Sequence, residues 1–507
     1  MPTQHTDVLI VGAGLSGVGA ACHLKDRSPG ATYKLLESRG EIGGTWDLFR
    51  YPGIRSDSDM HTLGYSFRPW RDPRAIADGP SILRYVRETA AEYGVDRHIQ
   101  FNTRVLRASW SSDDARWTVE AKRTDTGEPF TLTCSFLMGC SGYYDYESGY
   151  TPQFEGVERF RGQLIHPQQW PEDVDYAGKR VVVIGSGATA VTLVPSMARD
   201  AAHVTMLQRS PSYVLSVPTE DPIANAMRRR LPDRIAFPLM RWKNVMISLG
   251  IYQLSRRRPE LVKKLIRKGT TRALPPGFDV ATHFRPRYNP WDQRLCLVPD
   301  GDLFRSISDG NVSIATDQIE TFDETGIALK SGVHLDADVI VTATGLNLLA
   351  FGGIELAVDG EDVSLPETMA YKGMMLSDVP NFAFTVGYTN ASWTLKADLV
   401  AEYVCRLLNH MRSRGWAQAM PERRDSSVTE EPFLDFQAGY VQRAVDDFPR
   451  QGSKAPWRLR MNYAFDLVTL RFRPVDDEAM RFGRAGQRLS RLGAAPKRDA
   501  ALVGAAE

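Results

Sequence analysis

Two glycine-rich turns have the residue types and spacing that suit binding of a pyrophosphate. The first is Gly12-Ala-Gly14-Leu-Ser16-Gly17, after the apolar run 7–11, and the second is Gly185-Ser-Gly187-Ala188-Thr189-Ala190, after the apolar run 180–184. Each turn lies between a predicted strand and a predicted helix, where closely spaced glycines let backbone amides and a helix N-terminus approach phosphate oxygens. The chain is therefore expected to bind two dinucleotides.

The residue at the end of the second strand of each unit distinguishes the two nucleotides. In the first unit it is Glu37, whose carboxylate can accept a hydrogen bond from a ribose 2′-hydroxyl. In the second unit Gln208 is followed by Arg209 and Ser210, and a guanidinium binds a 2′-phosphate that an acid would repel. The first site is predicted to hold FAD and the second NADPH, although Arg209 alone is also compatible with a plain surface charge.

Three further segments combine aromatic, acidic and basic residues at a distinctive spacing. They are Gly43-Gly44-Thr45-Trp46-Asp47 followed by Asp57, then Phe160-Arg-Gly162-Gln-Leu-Ile-His166-Pro-Gln-Gln-Trp170-Pro171, and finally Asn289-Pro-Trp291-Asp-Gln293-Arg294-Leu-Cys296. Singly, each is compatible with an ordinary turn or ion pair. Together with the two glycine turns they resemble the Baeyer–Villiger monooxygenases, which are class B flavoprotein monooxygenases, over nearly the whole chain.

The resemblance implies a reaction and the residues for it. Enzymes of this family use NADPH and dioxygen to insert one oxygen atom beside a ketone carbonyl, giving an ester or lactone through a C4a-peroxyflavin. A fixed cation stabilises the anionic oxygen species of such a reaction. The matching residue here is Arg294, which Asp57 would orient, while Arg285 and Arg287 stay open as alternatives.

The resemblance also implies further contacts and a branch of the family. Cofactor contacts are expected from Gly44, Thr45, Trp46, Asp57, Val105 and Trp393. The segments 43–52, 289–296 and 387–396 place the chain closer to the mycobacterial thioamide-prodrug-activating branch, whose members are implied to oxidise sulfides to sulfoxides as well as ketones. Many family members carry lysine where this chain has Gln293, so more of the preference for NADPH is expected to depend on Arg209.

Several positions have a structural interpretation beside the functional one. His166 is interpreted as a structural residue at a domain hinge and not as a general base. Asn390 or Ser392 is expected to cap an apolar helix near 399–408, and the segment 456–463 fits either a substrate pocket or the core. No second histidine or acid at ligand spacing accompanies His166, so no metal site is predicted.

Three other functions share parts of this pattern. An S- or N-oxygenating flavin monooxygenase would bind the same two nucleotides without needing Arg294. An FAD- and NADPH-dependent disulfide reductase would need a redox cysteine pair beside the flavin, and the window 38–60 contains no cysteine. A non-enzymatic flavin-binding module is the third alternative.

The elements that must position these residues indicate an α/β fold with two dinucleotide-binding (Rossmann-like) domains. Strands are predicted at 7–11, 33–36, 180–184 and 204–207, and late strands at 136–139 and 338–342 each run into a glycine turn. We expect an FAD-binding domain over 1–147, an NADPH-binding domain over 148–347, the rest of the FAD-binding domain with the substrate pocket over 348–492, and a disordered tail over 493–507.

The segment 216–280 is predicted to be a helical insertion in the second domain. Between Asn225 and Ala273 the chain has 14 Lys or Arg residues and two acids, Asp233 and Glu260. A solvated basic face explains this charge, and weak peripheral contact of 225–273 with an anionic membrane is the alternative.

Bulk composition restricts the remaining partners. A net charge of +1 gives no general attraction to nucleic acid. The partners that the resemblance implies are a small-molecule ketone or sulfide and dioxygen. Five cysteines without a C-x-x-C pair favour a reducing, cytoplasmic environment. The sequence leaves the oligomeric state open.

Overall fold

A computed structural model of the protein describes residues 4–489. The predicted disordered tail, 493–507, lies outside these residues. Two sheets organise the described chain, and each contains one of the glycine-rich turns at the carboxyl end of a central strand. The predicted α/β class with two dinucleotide-binding domains is therefore confirmed.

The larger sheet is assembled from two separate stretches of the chain, 4–139 and 355–384. From one edge to the other its strands are Glu361–Asp362, Glu355–Val358, Thr103–Ser111, Arg116–Arg123, Pro129–Gly139, Gln4–Val11, Tyr33–Leu36 and Ile99–Gln100, and Phe382–Phe384 also pairs with Pro129–Gly139. The pairs around Gln4–Val11 are parallel, with Ile10 opposite Leu35 and Met138. The residues Val8–Ile10 are completely buried because helices cover this part of the sheet.

Two long helices pack on each other beside this sheet. Leu15–Arg27 follows the first glycine turn, and Trp393–Arg414 lies against it. Trp393–Arg414 begins earlier than the predicted helix near 399–408 because its first turn, although it contains the polar residues Thr394 and Lys396, is also buried.

The second sheet has five parallel strands. Their order is Val312–Thr316, His203–Gln208, Arg180–Ile184, Val339–Thr342 and Gln163–Ile165. Helix Ala188–Met197 follows the second glycine turn, and Asp302–Ser308 packs beside it.

The helical insertion predicted for 216–280 consists of three consecutive helices. They are Pro222–Arg230, Asp233–Arg257 and Pro259–Ala273, followed by the short helix Val280–His283. The first of these helices begins six residues after the predicted start at 216, because 216 and 217 still belong to the strand Val214–Val217, which pairs with Cys296–Pro299. Among the described residues, none of the helices is both long enough and apolar enough to span a bilayer.

A short antiparallel ribbon connects the two domains. Strand Tyr144–Gly149 leads into the second domain and strand Leu346–Leu348 leads out of it, with Leu346 opposite Gly149 and Leu348 opposite Tyr144. We propose that the domain boundaries near residues 147 and 347 lie at this ribbon.

Apart from the helix Gly79–Glu92, the remaining elements are short. The helices are Thr45–Leu48, Met60–Leu63, Gly79–Glu92, Asp96–His98, Val157–Arg159, Pro167–Gln169, Ala350–Gly353, Leu365–Glu367, Gly439–Gln442, Tyr463–Asp466 and Leu467–Phe472. The small sheets are Ile319–Phe322 with Gly326–Leu329 and His334–Asp336, Ala370–Tyr371 with Met375–Leu376, Gln418–Pro421 with Met480–Gly483, and Glu430–Pro432 with Arg450–Gly452.

Candidate active site

A single cavity of about 530 Å³ is lined by residues of both glycine turns. Of the residues predicted from sequence, it brings together Gly12, Gly14, Ser16, Glu37, Gly44, Thr45, Trp46, Asp57, Val105, Ala188, Thr189, Arg294 and Trp393. Gly17, Gly185, Gly187, Arg209 and Ser210 do not line it. The two predicted nucleotide sites therefore meet at one chamber.

The first glycine turn is held close to two neighbouring backbone segments. Gly12 has φ +106°, and a Cβ atom there would lie 2.6 Å from the carbonyl oxygen of Cys140. A Cβ on Gly14 would lie 3.4 Å from the Cα of Gly44, so the turn and the 43–46 loop contact each other through these two glycines. A Cβ on Gly17 would overlap the Gly12 carbonyl, which explains why Gly17 packs the helix onto the strand and stays outside the cavity.

Glu37 is the buried acid at the end of the second strand. Its carboxylate accepts hydrogen bonds from the amides of Ala13 (2.7 Å) and Arg39 (3.0 Å). Burial raises the pKa of Glu37, and these two hydrogen bonds partly offset that effect. The carboxylate is thereby held at the cavity wall, where a ribose hydroxyl could donate to it.

The 43–46 loop and the start of the long helix 393–414 form the opposite wall. The hydroxyl of Thr45 lies 3.1 Å from that of Tyr146, and the indole nitrogen of Trp393 donates to Ser16 Oγ at 2.7 Å. Trp393 also stacks on Tyr143, with ring centroids 5.2 Å apart and planes at 22°. These aromatic surfaces suit a planar ring system.

Ser392 and Asn390 are not side-chain caps of the helix Trp393–Arg414. Ser392 occupies the N-cap position, but its hydroxyl lies 2.6 Å from that of Thr62. Asn390 instead donates to the carbonyl of Met461 at 3.0 Å. The N-terminal amides of this helix are therefore uncapped by either predicted side chain.

The second glycine turn repeats the geometry of the first. Gly185 has φ +141°, and a Cβ there would overlap the carbonyl oxygen of Ala343, just as Gly12 faces Cys140. Ala188 and Thr189 face the cavity, whereas a Cβ on Gly187 would meet open space. Ser186 Oγ donates to the carbonyl of Ser210 at 3.0 Å, which places the Arg209–Ser210 pair at the outer rim of this turn.

Arg209 is exposed at that rim, and the described residues provide no acidic partner for it. Its guanidinium therefore remains available for a ligand that lies on the second glycine turn. This position is compatible with the predicted 2′-phosphate contact, which stays a prediction.

Arg294 and Asp57 form an ion pair between the two domains, with Nε 2.8 Å from Oδ2. Burial works to lower the pKa of Arg294, but the negative charge of Asp57 opposes this effect, and the pKa is raised. The side chain keeps 30% of its surface exposed and lines the cavity. Arg285 and Arg287 are exposed and do not line it, so the geometry favours Arg294 over both alternatives.

A strained turn holds Arg294 in place. Asp292 N donates to the Asn289 carbonyl at 3.0 Å, Asp292 Oδ2 accepts from Asn289 N at 2.9 Å, and Trp291 has φ +72°. A bulky residue in this left-handed region costs on the order of 1–3 kcal/mol. The indole NH of Trp291 is also buried without a hydrogen-bond partner, so the rest of the structure must hold this turn.

The loop that carries Asp57 reaches into the second domain. Tyr51 packs in the core of the second sheet, and a Cβ on Gly53 would overlap Ser196 of the helix 188–197. Arg55 pairs with Asp302 at 2.5 Å. Asp57 is therefore fixed by contacts with the domain that supplies Arg294.

Tyrosines of the connecting ribbon are site residues that the sequence did not reveal. Tyr143, Tyr144 and Tyr146 line the cavity. Burial raises the pKa of Tyr146 to about 12 and the pKa of Tyr143 well above its usual value, so both stay neutral. Their signal was available, since this aromatic run directly follows a glycine turn at the carboxyl end of a parallel strand.

His166 holds the ribbon and performs no proton transfer in this arrangement. Its Nε2 donates to the Gly345 carbonyl at 3.2 Å, and its Nδ1 accepts from Gln168 N at 3.2 Å. Both nitrogens are engaged in the neutral form, and burial lowers the pKa of His166. A Cβ on Gly149 would overlap the imidazole ring, so the histidine lies directly against the ribbon.

Other chemistries find little support in the described residues. All five cysteines are free and buried, and Cys140 alone among them lines the cavity. No group of three His, Cys, Asp or Glu side chains in the described part of the chain could hold a metal ion. The segment 456–463 does not line the cavity, and Trp457 is core.

The residues present fit the two predicted cofactors. The cavity extends from Glu37 and Val105, past the glycine faces, to the aromatic wall and Arg294. The backbones approach closely at Gly12 and Gly14, so that amides of the helix N-terminus can donate hydrogen bonds to a pyrophosphate. The Glu37 carboxylate is positioned to accept a hydrogen bond from a ribose hydroxyl. Ala188 and Thr189 bring the second nucleotide site to the same chamber.

Comparison with known proteins gives consistent likenesses. A sequence model described as flavin-binding monooxygenase-like matches residues 6–231. The chain is 57% identical over 483 residues to the FAD-containing monooxygenase EthA of Mycobacterium tuberculosis, covering 95% of this chain and 98% of EthA. Among solved structures, an oxidized steroid monooxygenase bound to NADP has a TM-score of 0.69 at 27% identity, covering 82% of this chain and 88% of the other. The structure of OTEMO in complex with FAD and NADP has a TM-score of 0.68 at 23% identity, covering 82% of this chain and 86% of OTEMO. At this identity the similarity shows a shared fold.

Proposed function

We propose that this chain, which belongs to the flavin-binding monooxygenase-like family, inserts one oxygen atom of dioxygen into ketones to give esters or lactones. The protein is an FAD-dependent monooxygenase whose second cofactor is NADPH. The ketone as oxygen acceptor is the proposed part. The predicted cofactor contacts, including Arg209 and Ser210 for the 2′-phosphate, are part of the same proposal.

The observation that carries the proposal is the position of Arg294. A cation held 2.8 Å from Asp57 faces a chamber shared by both nucleotide sites. Insertion into a ketone passes through a tetrahedral adduct that bears an anionic oxygen. A preorganised guanidinium stabilises such an anion more than the neutral ketone, which lowers the barrier.

The other residues of the chamber position the guanidinium of Arg294 and offer neutral hydrogen-bond donors. FAD, reduced by NADPH, supplies the activation of dioxygen when it is bound. Asp57 positions the guanidinium, and the raised pKa of Arg294 keeps it charged at every working pH. Tyr143 and Tyr144 stay protonated, because burial raises the pKa of both, and can therefore donate hydrogen bonds without adding negative charge.

Oxidation of sulfides to sulfoxides is the second candidate reaction. The wall formed by Tyr143 stacked on Trp393 offers the aromatic surface that a polarisable sulfur prefers. Transfer of oxygen to a sulfur lone pair needs no stabilisation of a tetrahedral oxyanion. This reaction is therefore expected to depend little on Arg294, which makes the two reactions separable in one protein.

Mass spectrometry of products formed under ¹⁸O₂ tests the proposal. The purified holoenzyme would be given NADPH with a linear alkyl ketone in one reaction and a thioether in another. One ¹⁸O atom in the ester, at the ring or chain oxygen and not at the carbonyl, supports the proposal. Label in the sulfoxide with no ester from any alkyl or aryl ketone would leave sulfur oxygenation as the function and reject ketone insertion.

A further inference from the structure

The helical insertion exposes a concentration of large apolar side chains. Ten of the fifteen large hydrophobic side chains exposed among the described residues lie in its three helices: Ile223, Ile235, Leu239, Trp242, Met246, Ile247, Ile251, Leu254, Leu261 and Leu265. The stripe from Ile235 to Met246 has steps of four, three and four residues, which place its members on one face of the helix. An exposed apolar stripe of this length marks an interaction surface.

The opposite face of the same helix, Asp233–Arg257, is firmly attached to the body of the protein. Ala236, Met240 and Asn244 are buried. Asn244 donates to Asp59 at 3.0 Å, and Arg241 donates to the Gly64 carbonyl at 2.7 Å. The apolar stripe is therefore the solvent-facing side of a helix whose opposite side is packed on the protein.

Basic residues accompany the apolar stripe. Nine exposed Lys and Arg side chains of the insertion have no acidic partner among the described residues: Arg229, Arg230, Arg234, Arg257, Arg258, Lys264, Arg267, Lys268 and Arg272. The two acids of the segment 225–273 are already paired, Asp233 with Arg71 at 2.9 Å and Glu260 with Lys263 at 2.8 Å. The surface is thus both apolar and strongly positive, although the whole chain carries a net charge of only +1.

We propose that this insertion, residues 222–273, docks on the surface of an anionic lipid bilayer, with the stripe of helix Asp233–Arg257 in the interfacial layer. Apolar side chains that enter the headgroup region and Lys or Arg side chains that face anionic headgroups are the two contributions to interfacial binding. The absence of a spanning helix among the described residues agrees with a helix that lies in the plane of the surface.

The positive charge of this surface favours binding to an anionic bilayer over association with a second copy of this chain. A symmetric dimer through the stripe would oppose two surfaces of the same positive sign, and like charges across an interface disfavour association. Anionic lipid complements both parts of the surface. This inference is independent of the oxygen acceptor and holds for a ketone or a sulfide oxygenase.

The test is flotation of the FAD-loaded enzyme with vesicles of phosphatidylcholine alone or with about 30% phosphatidylglycerol. We expect the enzyme to float with the anionic vesicles and not with the neutral ones. One variant, Leu239→Gln/Met246→Gln/Ile251→Gln, removes apolar side chains, and the other, Arg257→Gln/Lys264→Gln/Arg267→Gln, removes charge. Each basic residue near an anionic surface contributes roughly a fivefold factor, so the charge variant is expected to bind roughly 100-fold more weakly.

The matched control is Lys330→Gln/Val333→Gln, which changes one basic and one apolar exposed residue on the hairpin 326–336. It is expected to float like the parent, and all variants are expected to retain FAD and NADPH oxidation. Failure of the parent enzyme to float with anionic vesicles overturns the proposal, as does flotation that neither variant reduces. Sedimentation that shows a concentration-dependent dimer abolished by the apolar variant, without vesicle binding, would assign the stripe to self-association instead.

Discussion

Replacement of Arg294 by alanine is expected to separate NADPH consumption from oxygen insertion. The guanidinium belongs to the second domain and Asp57 to a loop of the first, and their closest contact runs through Nε at 2.8 Å. The Arg294 side chain also lines the cavity. Alanine removes the cation while the two glycine turns and Glu37 remain in place.

The size of the loss follows from the kind of interaction removed. Loss of one preorganised donor to a developing oxyanion lowers kcat roughly 100- to 1000-fold. Asp57→Asn keeps the cation but weakens its positioning, and we expect a loss of about 10- to 100-fold. Oxidation of a thioether by Arg294→Ala is expected to fall by less than about tenfold, because no oxyanion forms on the substrate.

The assay compares ester formed with NADPH consumed, together with the rate of flavin reduction measured anaerobically by stopped flow. For Arg294→Ala we expect reduction near the parent rate, little ester, and hydrogen peroxide in place of product. The control is Arg285→Ala, which removes an exposed arginine nearby in the chain and outside the cavity. If Arg294→Ala keeps FAD and forms ester within threefold of the parent rate, the assigned role of the cation is wrong.

Three further changes test the cofactor sites and the ribbon. Arg209→Gln removes a charged contact worth about 1.5–3 kcal/mol, so the ratio of kcat/KM for NADPH to that for NADH is expected to fall roughly 10- to 150-fold; an unchanged ratio contradicts the phosphate role. Gly12→Ala would place a Cβ 2.6 Å from the Cys140 carbonyl oxygen at φ +106°, so the purified variant is expected to be colourless, as read from absorbance near 450 nm. Burial lowers the pKa of His166 in the folded protein, so its contribution to stability is complete above the unfolded value, about 6.5, and decreases as the pH falls below it. The Tm of His166→Gln is therefore expected to fall less between pH 7.5 and 5.5 than that of the parent, and equal slopes would count against this role.

Much of the fold could be predicted from local patterns. The strands Tyr33–Leu36 and Arg180–Ile184 have the predicted bounds because both are buried apolar runs that end at turn signals. Pro129–Gly139 is seven residues longer at its start than the predicted strand at 136–139. Its first half pairs with Arg116–Arg123 and alternates with polar residues, so no continuous apolar run marks it.

The candidate site was predictable where chemistry is tied to a short motif. Gly12, Gly14, Glu37 and Arg294 are such positions, and the structure brings them to one chamber. Of the other predicted site residues, Gly17, Gly185, Gly187, Arg209 and Ser210 lie outside its lining. The tyrosines at 143–146 and the reach of the 49–57 loop into the second domain depend on the relative placement of two sheets. The glycine turn before the tyrosine run marks its position, but no pattern within either segment encodes the placement of the two sheets, so the sequence could not reveal these contacts.

The ribbon at residues 144–149 and 346–348 has a consequence for how this architecture can change. Because the chain departs from the larger sheet and comes back to it on two paired strands, the ends of the intervening 200-residue unit are neighbours. A unit with adjoining ends can be inserted into a host chain without changing the order of the host's own strands. Arg294 and the helices of the insertion both belong to that unit, so the residues proposed for oxygen insertion and for lipid contact are able to diverge together while the flavin scaffold stays the same.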